Sequence, residues 1–332
     1  MRKIRVTDPM LGEAKVYARN LFSGRRKNFE QPENRIDRLI KVLKALHANS
    51  QYINYLVKLK KCRNAINALR PSHLETVHAK YFNLSRHDLS VKFSIDGTTQ
   101  SFADWVVWAM RFKEVRAEEH FMKHFHLLGI KTCVYCNSQF AVTIDKASGK
   151  YIGHYDLDHN LPKAEYPFLC TNFFNLVPCC AHCNRSKNDD DVKFSLYEDG
   201  LGDLDVLQFE IDEAHLAKYF TKFNRDEIVV RLRDLLTYPL GEETLASKFN
   251  KKFHIDSLCR EHRDIIEELL WRVKIYNQSY ISMLESQFSL LFPTDKDFNR
   301  FLLGNYDKPE DIHKRPLAKL IQDIARQLDM IN

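Results

Sequence analysis

The stretch that decides the fold and the chemistry runs from residue 133 to residue 187 and reads CVYCNSQFAVTIDKASGKYIGHYDLDHNLPKAEYPFLCTNFFNLVPCCAHCNRSK. Six of the eight cysteines of the 332-residue chain lie in it. Disulfides explain such clusters in small exported proteins. We expect no export signal behind the basic start Met1-Arg2-Lys3, because no apolar run follows it. Metal binding is therefore the better explanation.

Two Cys-x-x-Cys motifs, Cys133 to Cys136 and Cys180 to Cys183, predict one tetrahedral zinc site. Each motif lets two sulfurs reach the same ion across a tight turn, and 43 residues separate the motifs. A closed shell of four thiolates leaves no open position, so we expect a structural Zn²⁺ that stabilises a segment with a small core. Cys179 can pair with Cys183 instead, and His182 can replace a cysteine, so the ligand set stays open here.

Polar residues in the same stretch supply the parts of a phosphodiester hydrolase. Asp158 and Asn184 offer oxygen atoms, which suit Mg²⁺ or Mn²⁺ better than a second zinc. A histidine accepts a proton from water near neutral pH, so His159 is a candidate general base. Positive charge for a phosphate comes from three residues: Lys163, Arg185 and Lys187. A base, a Lewis acid and a clamp for a polyanion are the minimal equipment for metal-assisted phosphodiester hydrolysis.

The Asp158-His159 pair, the central Asn175 and the terminal Asn184 inside a zinc knuckle resemble an HNH endonuclease of the ββα-metal type. The resemblance covers residues 133 to about 190. The sequence of the motif is Asp-His-Asn-Leu-Pro-Lys-x-x-Tyr-Pro, followed by Asn-Leu-x-Pro-x-Cys-x-x-Cys-Asn-x-x-Lys. The motif is similar in particular to that of HNH proteins of prokaryotic anti-phage systems. Among these are the nuclease subunits of Septu-type and retron-associated systems, which work beside an ATPase.

The resemblance implies a role for each of four residues. In that family the residue that matches His159 activates the water, and the residues that match Asp158 and Asn184 hold the catalytic metal. The residue that matches Asn175 braces the loop that carries the base. The last motif position is often histidine, and Asn184 is a known form of it that favours oxygen ligation. This departure bears on the identity of the metal.

Charge is divided unevenly along the chain. Residues 1–131 carry 25 Lys and Arg against 12 Asp and Glu, whereas residues 132–332 carry 25 against 32. The basic part predicts a surface that meets polyanions, and the acidic part predicts a surface for a protein partner. The alternative is that both parts form ordinary solvent-exposed surfaces, which would show the same uneven charge. Within the basic part, Arg25, Arg26 and Lys27 form a candidate nucleic-acid contact, with a solvated loop as the alternative.

Apolar spacing predicts a mostly helical α+β chain with the zinc-bound ββα-metal module embedded in it. Helices are predicted over 34–48 and 51–69, after Pro71, from Ser101 to Gly129, and from His262 to Phe292. The last of these would be one helix about 45 Å long, at about 1.5 Å per residue. Strands are predicted from His87 to Ile95 and over 205–211 and 227–233.

Three regions are therefore expected: a basic helical N-terminal region at 1–131, the zinc-knuckle HNH module at 132–199, and a mainly helical C-terminal region at 200–332. The sequence contains no Gly-x-x-x-x-Gly-Lys-Ser/Thr loop for binding nucleotide phosphates, so any nucleotide-driven switch must come from another chain. We therefore expect the third region to dock a protein partner such as an ATPase. The sequence has no apolar run of 18 residues or more, so we expect no membrane span and a cytoplasmic location.

The sequence thus predicts a metal-dependent HNH endonuclease of nucleic acid, with DNA favoured, as the effector of an anti-phage defence system. One alternative makes RNA, for example transfer RNA, the substrate, because no base-reading element is identifiable. The other alternative is a zinc ribbon that binds nucleic acid without cutting it. Asp158 and His159 favour the enzyme, because binding alone requires neither a carboxylate facing phosphate nor a base.

Overall fold

The computed structural model describes residues 1–25, 28–116, 119–146, 149–292 and 294–331. Within these ranges, α-helices alternate with short strands that pair two by two. The α+β class with a majority of helix, which the apolar spacing predicts, is confirmed.

The part of the chain before the cysteine-rich stretch is helical, and it contains α1 (Asp8–Asn20), α2 (Pro32–Ala45), α3 (Ser50–Asn67), α4 (Leu74–Tyr81), α5 (Arg86–Ser90), α6 (Phe102–Ala109), α7 (Phe112–Val115) and α8 (Glu119–Leu127). Helices α2, α3 and α4 confirm three of the helices that apolar spacing predicts. Leu39, Leu56 and Leu59 lie fully in the core. Burial of such a side chain is worth about 1.5–3 kcal/mol, which holds α2 against α3.

The helix predicted from Ser101 to Gly129 is wrong in its extent. Ser101 does cap its start, because the side-chain oxygen accepts a hydrogen bond of 3.1 Å from the Asp104 N–H. The chain leaves the helix at Arg111, which has a φ of +61°, and continues as α7 and α8. A left-handed residue interrupts the i to i−4 hydrogen bonds, and apolar periodicity carries no signal for it.

The strand predicted from His87 to Ile95 is wrong in its first half. That half is helix α5, whose start is capped by Ser85 through a hydrogen bond of 3.0 Å from the Asp88 N–H. Strands β1 (Ile4–Arg5), β2 (Lys92–Ile95) and β3 (Thr98–Ser101) complete this part of the chain. Asp96 and Gly97 join β2 to β3 with φ of +50° and +77°, and two successive positive φ angles are typical of a tight hairpin.

The cysteine-rich stretch forms two hairpins and a helix: β4 (Val142–Lys146) with β5 (Lys150–His154), β6 (Asp156–His159) with β7 (Leu176–Cys179), and α9 (Ala181–Lys187). Both hairpins are antiparallel. In the second, Asp158 lies opposite Val177 and His159 opposite Leu176. The order strand, strand, helix over 156–187 is the one that the ββα resemblance implies.

The rest of the described chain contains β8 (Tyr197–Glu198), β9 (Leu207–Ile211), α10 (Glu213–Lys222), β10 (Val230–Asp234), α11 (Leu245–Phe253), α12 (Ile255–Glu261), α13 (Arg263–Ile275), α14 (Gln278–Gln287), α15 (Asp295–Leu303) and α16 (Ala318–Gln327). Strands β9 and β10 pair antiparallel and confirm the two strands predicted there. No described helix is both long enough and apolar enough to cross a bilayer.

The single helix predicted from His262 to Phe292 is wrong. It divides into α13 and α14 at Tyr276 and Asn277, where the Asn277 side chain accepts a hydrogen bond of 3.0 Å from the Tyr280 N–H. An asparagine that caps a new helix ends the old one, even though the apolar spacing continues across it. None of the described side chains of α14 is buried.

Apolar residues from all three predicted regions join one core. Strand β1 pairs in parallel with β8, which brings the two ends of the 4–198 segment together. Asn137, buried with a φ of +54°, donates to the Ile312 carbonyl at 2.9 Å and accepts from the Lys319 N–H at 2.9 Å. The first Cys-x-x-Cys motif is thus fixed to the C-terminal part of the chain.

Candidate metal and nuclease site

Four thiols meet beside the second hairpin. The Sγ atoms of Cys133, Cys136, Cys180 and Cys183 all lie within 4.8 Å of one another. In a tetrahedral zinc site with Zn–S bonds of about 2.3 Å, the sulfurs are about 3.8 Å apart. The group is therefore of the right size and chemistry to bind zinc, as the paired motifs predict. Among the described residues, no other group of three or more Cys, His, Asp or Glu side chains comes this close.

The two alternative zinc ligands lie outside this group. Cys179 is buried in β7, and its Sγ is 3.7 Å from the backbone oxygen of Asp156. His182 is exposed in the first turn of α9. The spacing left these alternatives open, and the structure selects the two Cys-x-x-Cys pairs.

Hydrogen bonds within the group shift the pKa values of its thiols in opposite directions. The Cys180 sulfur caps α9 by accepting a hydrogen bond of 3.4 Å from the Cys183 N–H. Hydrogen bonding with the Cys133 thiol lowers the pKa of Cys136 and of Cys180, whereas it raises the pKa of Cys183. A lower pKa favours the thiolate, which is the form that binds metal.

Strand β6 holds the predicted metal ligand Asp158 next to the predicted base His159, and both are buried. The Asp158 carboxylate is buried and accepts a hydrogen bond of 2.7 Å from the Tyr135 hydroxyl. The Lys187 ammonium lies 3.1 Å from the same carboxylate oxygen. Tyr135 belongs to the first Cys-x-x-Cys motif, so its hydrogen bond connects Asp158 to the group of four thiols.

His159 is held in one tautomer by the backbone. Its Nε2 lies 3.0 Å from the Cys170 carbonyl oxygen, and a carbonyl only accepts, so Nε2 carries the proton. In the neutral ring Nδ1 is then the acceptor. Burial lowers the pKa of His159 to about 3, and the Phe112 ring lies 4.4 Å from the imidazole, centre to centre. The ring is therefore neutral at pH 7, and it is a weaker base than a free imidazole.

Asn175 spans the loop that follows the base. Its side-chain amide donates to the carbonyls of Leu161 and Leu169 at 3.1 and 3.2 Å. Its oxygen accepts from the Leu161 N–H at 2.7 Å, and the residue is fully buried. These three bonds fix both ends of the loop after β6, and they are the contacts that a bracing residue requires.

Helix α9 faces the acidic side of β6. Asp156 and Asp158 are two residues apart on a strand, so both point to the same face. The Asn184 amide nitrogen donates to the Asp156 carboxylate at 3.0 Å, while Lys187, one turn later on α9, reaches Asp158. Asn184 and Asp158 thus lie on facing elements with different partners. The sequence interpretation gave Asp156 no role, although its spacing from Asp158 signals a shared face.

The predicted phosphate contact by Lys187 is wrong. Lys187 is fully buried, and its Nζ donates to the His159 carbonyl at 2.7 Å besides pairing with Asp158. Lys163 and Arg185 are exposed, as a nucleic-acid contact requires. Arg25 donates to the Leu21 carbonyl at 3.0 Å. Arg26 and Lys27 lie outside the described residues.

Comparison with known proteins gives one short similarity. The chain resembles a Septu protein. It is 41% identical over 61 residues to the Septu protein PtuB of Bacillus thuringiensis. The match covers 18% of this chain and 21% of PtuB, so the chain matches about a fifth of that relative's length. No protein-family model and no solved structure matches the chain. The likeness to PtuB is therefore limited to one small part of each protein.

The oxygen atoms on the acidic face of β6 fit a hard divalent cation. The carboxylates of Asp156 and Asp158 and the amide oxygen of Asn184 are ligands of the kind that Mg²⁺ and Mn²⁺ prefer. The Asn184 nitrogen is engaged with Asp156, which leaves its oxygen as the remaining polar atom of the side chain. The Lys187 ammonium already pairs with one oxygen of Asp158, so the oxygens that remain for a cation are the second oxygen of Asp158, the Asp156 carboxylate and the Asn184 amide oxygen.

Proposed function

We propose that the protein is a metal-dependent endonuclease of the HNH type that hydrolyses phosphodiester bonds of nucleic acid, with DNA as the favoured substrate. The observation that carries this proposal is the environment of His159. Its Nε2 is committed to the Cys170 carbonyl, its Nδ1 is the acceptor, and its neighbour Asp158 faces α9 and accepts a hydrogen bond from Tyr135 of the first Cys-x-x-Cys motif. A purely structural zinc ribbon needs none of these features.

Each residue of the site has one task in the proposed reaction. His159 Nδ1 takes a proton from the attacking water, as a general base must. Asp158 and Asn184 would hold a divalent cation, with Asp156 adjacent, and a bound cation would supply Lewis acidity toward the leaving oxygen. Asn175 keeps the loop after the base in place through its bonds to Leu161 and Leu169.

The exposed cations close to the site meet the substrate backbone in this proposal. Lys163 follows β6 and Arg185 lies on α9, and both side chains are exposed. Ammonium and guanidinium groups bind phosphate through charge-assisted hydrogen bonds, without regard to sequence. Arg25, Arg26 and Lys27 of the basic N-terminal part remain proposed as further backbone contacts.

The similarity to PtuB supports a role in a defence system against phage. The HNH nucleases that the motif resembles work beside an ATPase, and we propose a partner of that class here too. A nuclease that contacts only the backbone has little specificity of its own, so restraint by a partner is useful to the cell. The proposed docking region is the C-terminal part of the chain.

Replacement of the base tests the proposed function. Purified protein is incubated with plasmid, single-stranded DNA and total RNA, with magnesium and with EDTA. We expect magnesium-dependent cleavage, and we expect His159→Ala to lower its rate by about 10² to 10⁴, the usual cost of losing a general base. His182→Ala, an exposed histidine on α9, is the matched control and should retain the rate. Equal cleavage by His159→Ala and the wild type would reject the assignment.

The choice of substrate comes from the same experiment. Cleavage of DNA but not of RNA supports the proposal as stated, whereas cleavage confined to RNA replaces the substrate and keeps the enzyme. If the protein binds these nucleic acids but cleaves none of the three, the alternative of a zinc ribbon that only binds nucleic acid is supported.

A further inference from the structure

The hydroxyl of Tyr135 reaches the proposed cation ligand Asp158 from between two of the four thiols. Tyr135 stands in the turn from Cys133 to Cys136, and its hydroxyl donates to Asp158 Oδ2 at 2.7 Å. Among the described residues, the other polar contact of this carboxylate is the Lys187 ammonium, 3.1 Å from the same oxygen. Oδ2 is therefore held from two sides, whereas no described residue donates a hydrogen bond to Oδ1.

Packing fixes the position of the Tyr135 hydroxyl. The ring is fully buried and stacks on Phe253 of α11, with ring centres 5.0 Å apart and an angle of 18° between the planes. The preceding residue, Val134, donates its N–H to the Pro178 carbonyl on β7 at 3.4 Å, and Pro178 pairs with Leu157 on β6. The turn between the first two cysteines is thus attached to the hairpin that carries the proposed site.

The tyrosine bond gives Asp158 direction rather than countercharge. The Lys187 ammonium already supplies the positive charge that a buried carboxylate requires. A hydroxyl at a fixed position restricts the rotation of the carboxylate, and carboxylates that bind metals usually accept such a hydrogen bond from a neighbouring group. Loss of a group of this kind typically lowers metal affinity or activity by about 10- to 100-fold.

We infer that Tyr135 is a positioning residue of the cation site, and that through it the four-thiol group sets the affinity of Asp158 for a divalent cation. The inference rests on the proposed nuclease function and adds a link between its two metal sites. Oδ1 is the oxygen of Asp158 that remains for a cation, and Tyr135 keeps it directed by holding Oδ2. Because the turn at 133–136 is folded by its metal, the zinc site controls where this hydroxyl lies.

Binding of Mn²⁺ to Tyr135→Phe tests the inference. The variant keeps the ring that stacks on Phe253 and removes only the hydroxyl. Zinc-loaded protein is titrated with Mn²⁺ in the absence of nucleic acid, and free Mn²⁺ is measured by electron paramagnetic resonance, so binding is read apart from cleavage. We expect the affinity to fall about tenfold, the lower end for loss of such a bond, with the zinc content unchanged. Equal affinities of the variant and the wild type would overturn the inference.

Tyr219→Phe is the matched control. Tyr219 is also fully buried, and its hydroxyl donates to a carboxylate between α10 and α13, that of Glu267, at 3.3 Å. Both variants lose a buried hydrogen bond and some stability, but Tyr219→Phe should retain the Mn²⁺ affinity of the wild type. Equal weakening of Mn²⁺ binding in both variants would show a general structural effect and overturn the inference.

A measurement on the wild type decides the question if Tyr135→Phe does not fold. Coupling between two sites is reciprocal, so a cation at Asp158 must tighten the zinc site by the same factor. Zinc affinity is determined by competition with a zinc-selective chelator, with and without saturating Mg²⁺. We expect Mg²⁺ to tighten zinc binding by about fivefold or more, the lower end of typical coupling. An unchanged zinc affinity would overturn the inference.

Failure of this inference is distinguishable from failure of the proposed function. Cleavage of the plasmid by the wild type, together with unchanged Mn²⁺ affinity of Tyr135→Phe, rejects the link alone. Mn²⁺ binding that depends on Tyr135, without cleavage of any substrate, supports the link and rejects the nuclease. Absence of Mn²⁺ binding by the wild type rejects the link, and the cleavage assay then decides the function separately.

Discussion

Lys187 is a cation buried between helix α9 and strand β6, where it pairs with the Asp158 carboxylate and donates to the His159 carbonyl. The Cys-Asn-x-x-Lys motif indicates a cation near Asp158 and His159, and Lys187 lies there in the structure. Tertiary packing decides which side of α9 lies against β6. The sequence of residues 180–187 alone does not show it. The lysine therefore neutralises a carboxylate inside the protein instead of meeting a phosphate outside.

Lys187→Met should destabilise the protein rather than weaken its grip on nucleic acid. The variant leaves the buried Asp158 carboxylate without its cation, and removing one partner of a buried ion pair typically costs about 3–5 kcal/mol. Urea unfolding of the zinc-loaded protein measures this loss. Arg185→Met, an exposed cation on the same helix, should change the unfolding free energy by no more than about 0.5 kcal/mol. Unchanged stability of Lys187→Met with lost nucleic-acid binding would restore the phosphate role.

Other residues of the site differ in how far chemistry alone identifies them. Asp158, His159 and Asn175 could be selected as candidates because few residue types can bind a metal, accept a proton or brace a loop at such spacings. Asp156 could have been found from its i, i+2 relation to Asp158 on a strand. The Cys170 carbonyl that fixes the histidine tautomer could not, because a backbone group has no sequence signature.

Some secondary-structure elements could likewise be predicted from the sequence, and others could not. The order of hairpin β6–β7 and helix α9 could be predicted from the resemblance to ββα-metal nucleases, although 16 residues separate the two strands. The breaks at Arg111 and Asn277 could not, because one has a left-handed backbone within an apolar periodicity and the other is a cap inside one. Apolar spacing reports which face is buried and not where a helix stops.

The zinc group is an element whose removal should unfold its surroundings. Elemental analysis should find about one zinc per chain, and Cys183→Ser should lower both the zinc content and the melting temperature, because metal-binding energy here is folding energy. Cys179→Ser, a buried cysteine four residues earlier and outside the group, should keep the zinc. Zinc-free protein from a fresh preparation, or loss of zinc from both variants alike, would contradict this ligand set.

Across the whole molecule, the division of charge and the packing of the core do not coincide. Residues of the basic and the acidic part share one core, and side chains of α16 accept hydrogen bonds from the backbone of β9. Asp323 accepts a hydrogen bond of 2.9 Å from the Phe209 N–H, and Gln327 accepts one of 2.8 Å from the Ile211 N–H. Deletion of residues 295–332 would remove these contacts and uncover the core. A partner surface in this region must therefore be tested by substitution.

Helix α14 and the segment after it form the surface on which the proposed partner is best tested. Met283, Phe288 and Leu290 are 39, 45 and 99% exposed, and Glu285 is the only charged residue between 275 and 292. Exposed apolar side chains of this density mark protein interfaces more often than solvated surfaces.

Met283→Glu combined with Phe288→Glu should lower the recovery of a co-expressed ATPase partner by about tenfold or more, because charged groups in an apolar interface lose their water without gaining a partner. The free energy of unfolding should change by less than about 1 kcal/mol, since neither side chain is buried in this chain. Leu240→Glu, at a fully exposed leucine elsewhere, is the control and should leave recovery unchanged. Equal recovery with all three proteins would show that α14 is not the docking surface, and the partner would then contact another part of the molecule.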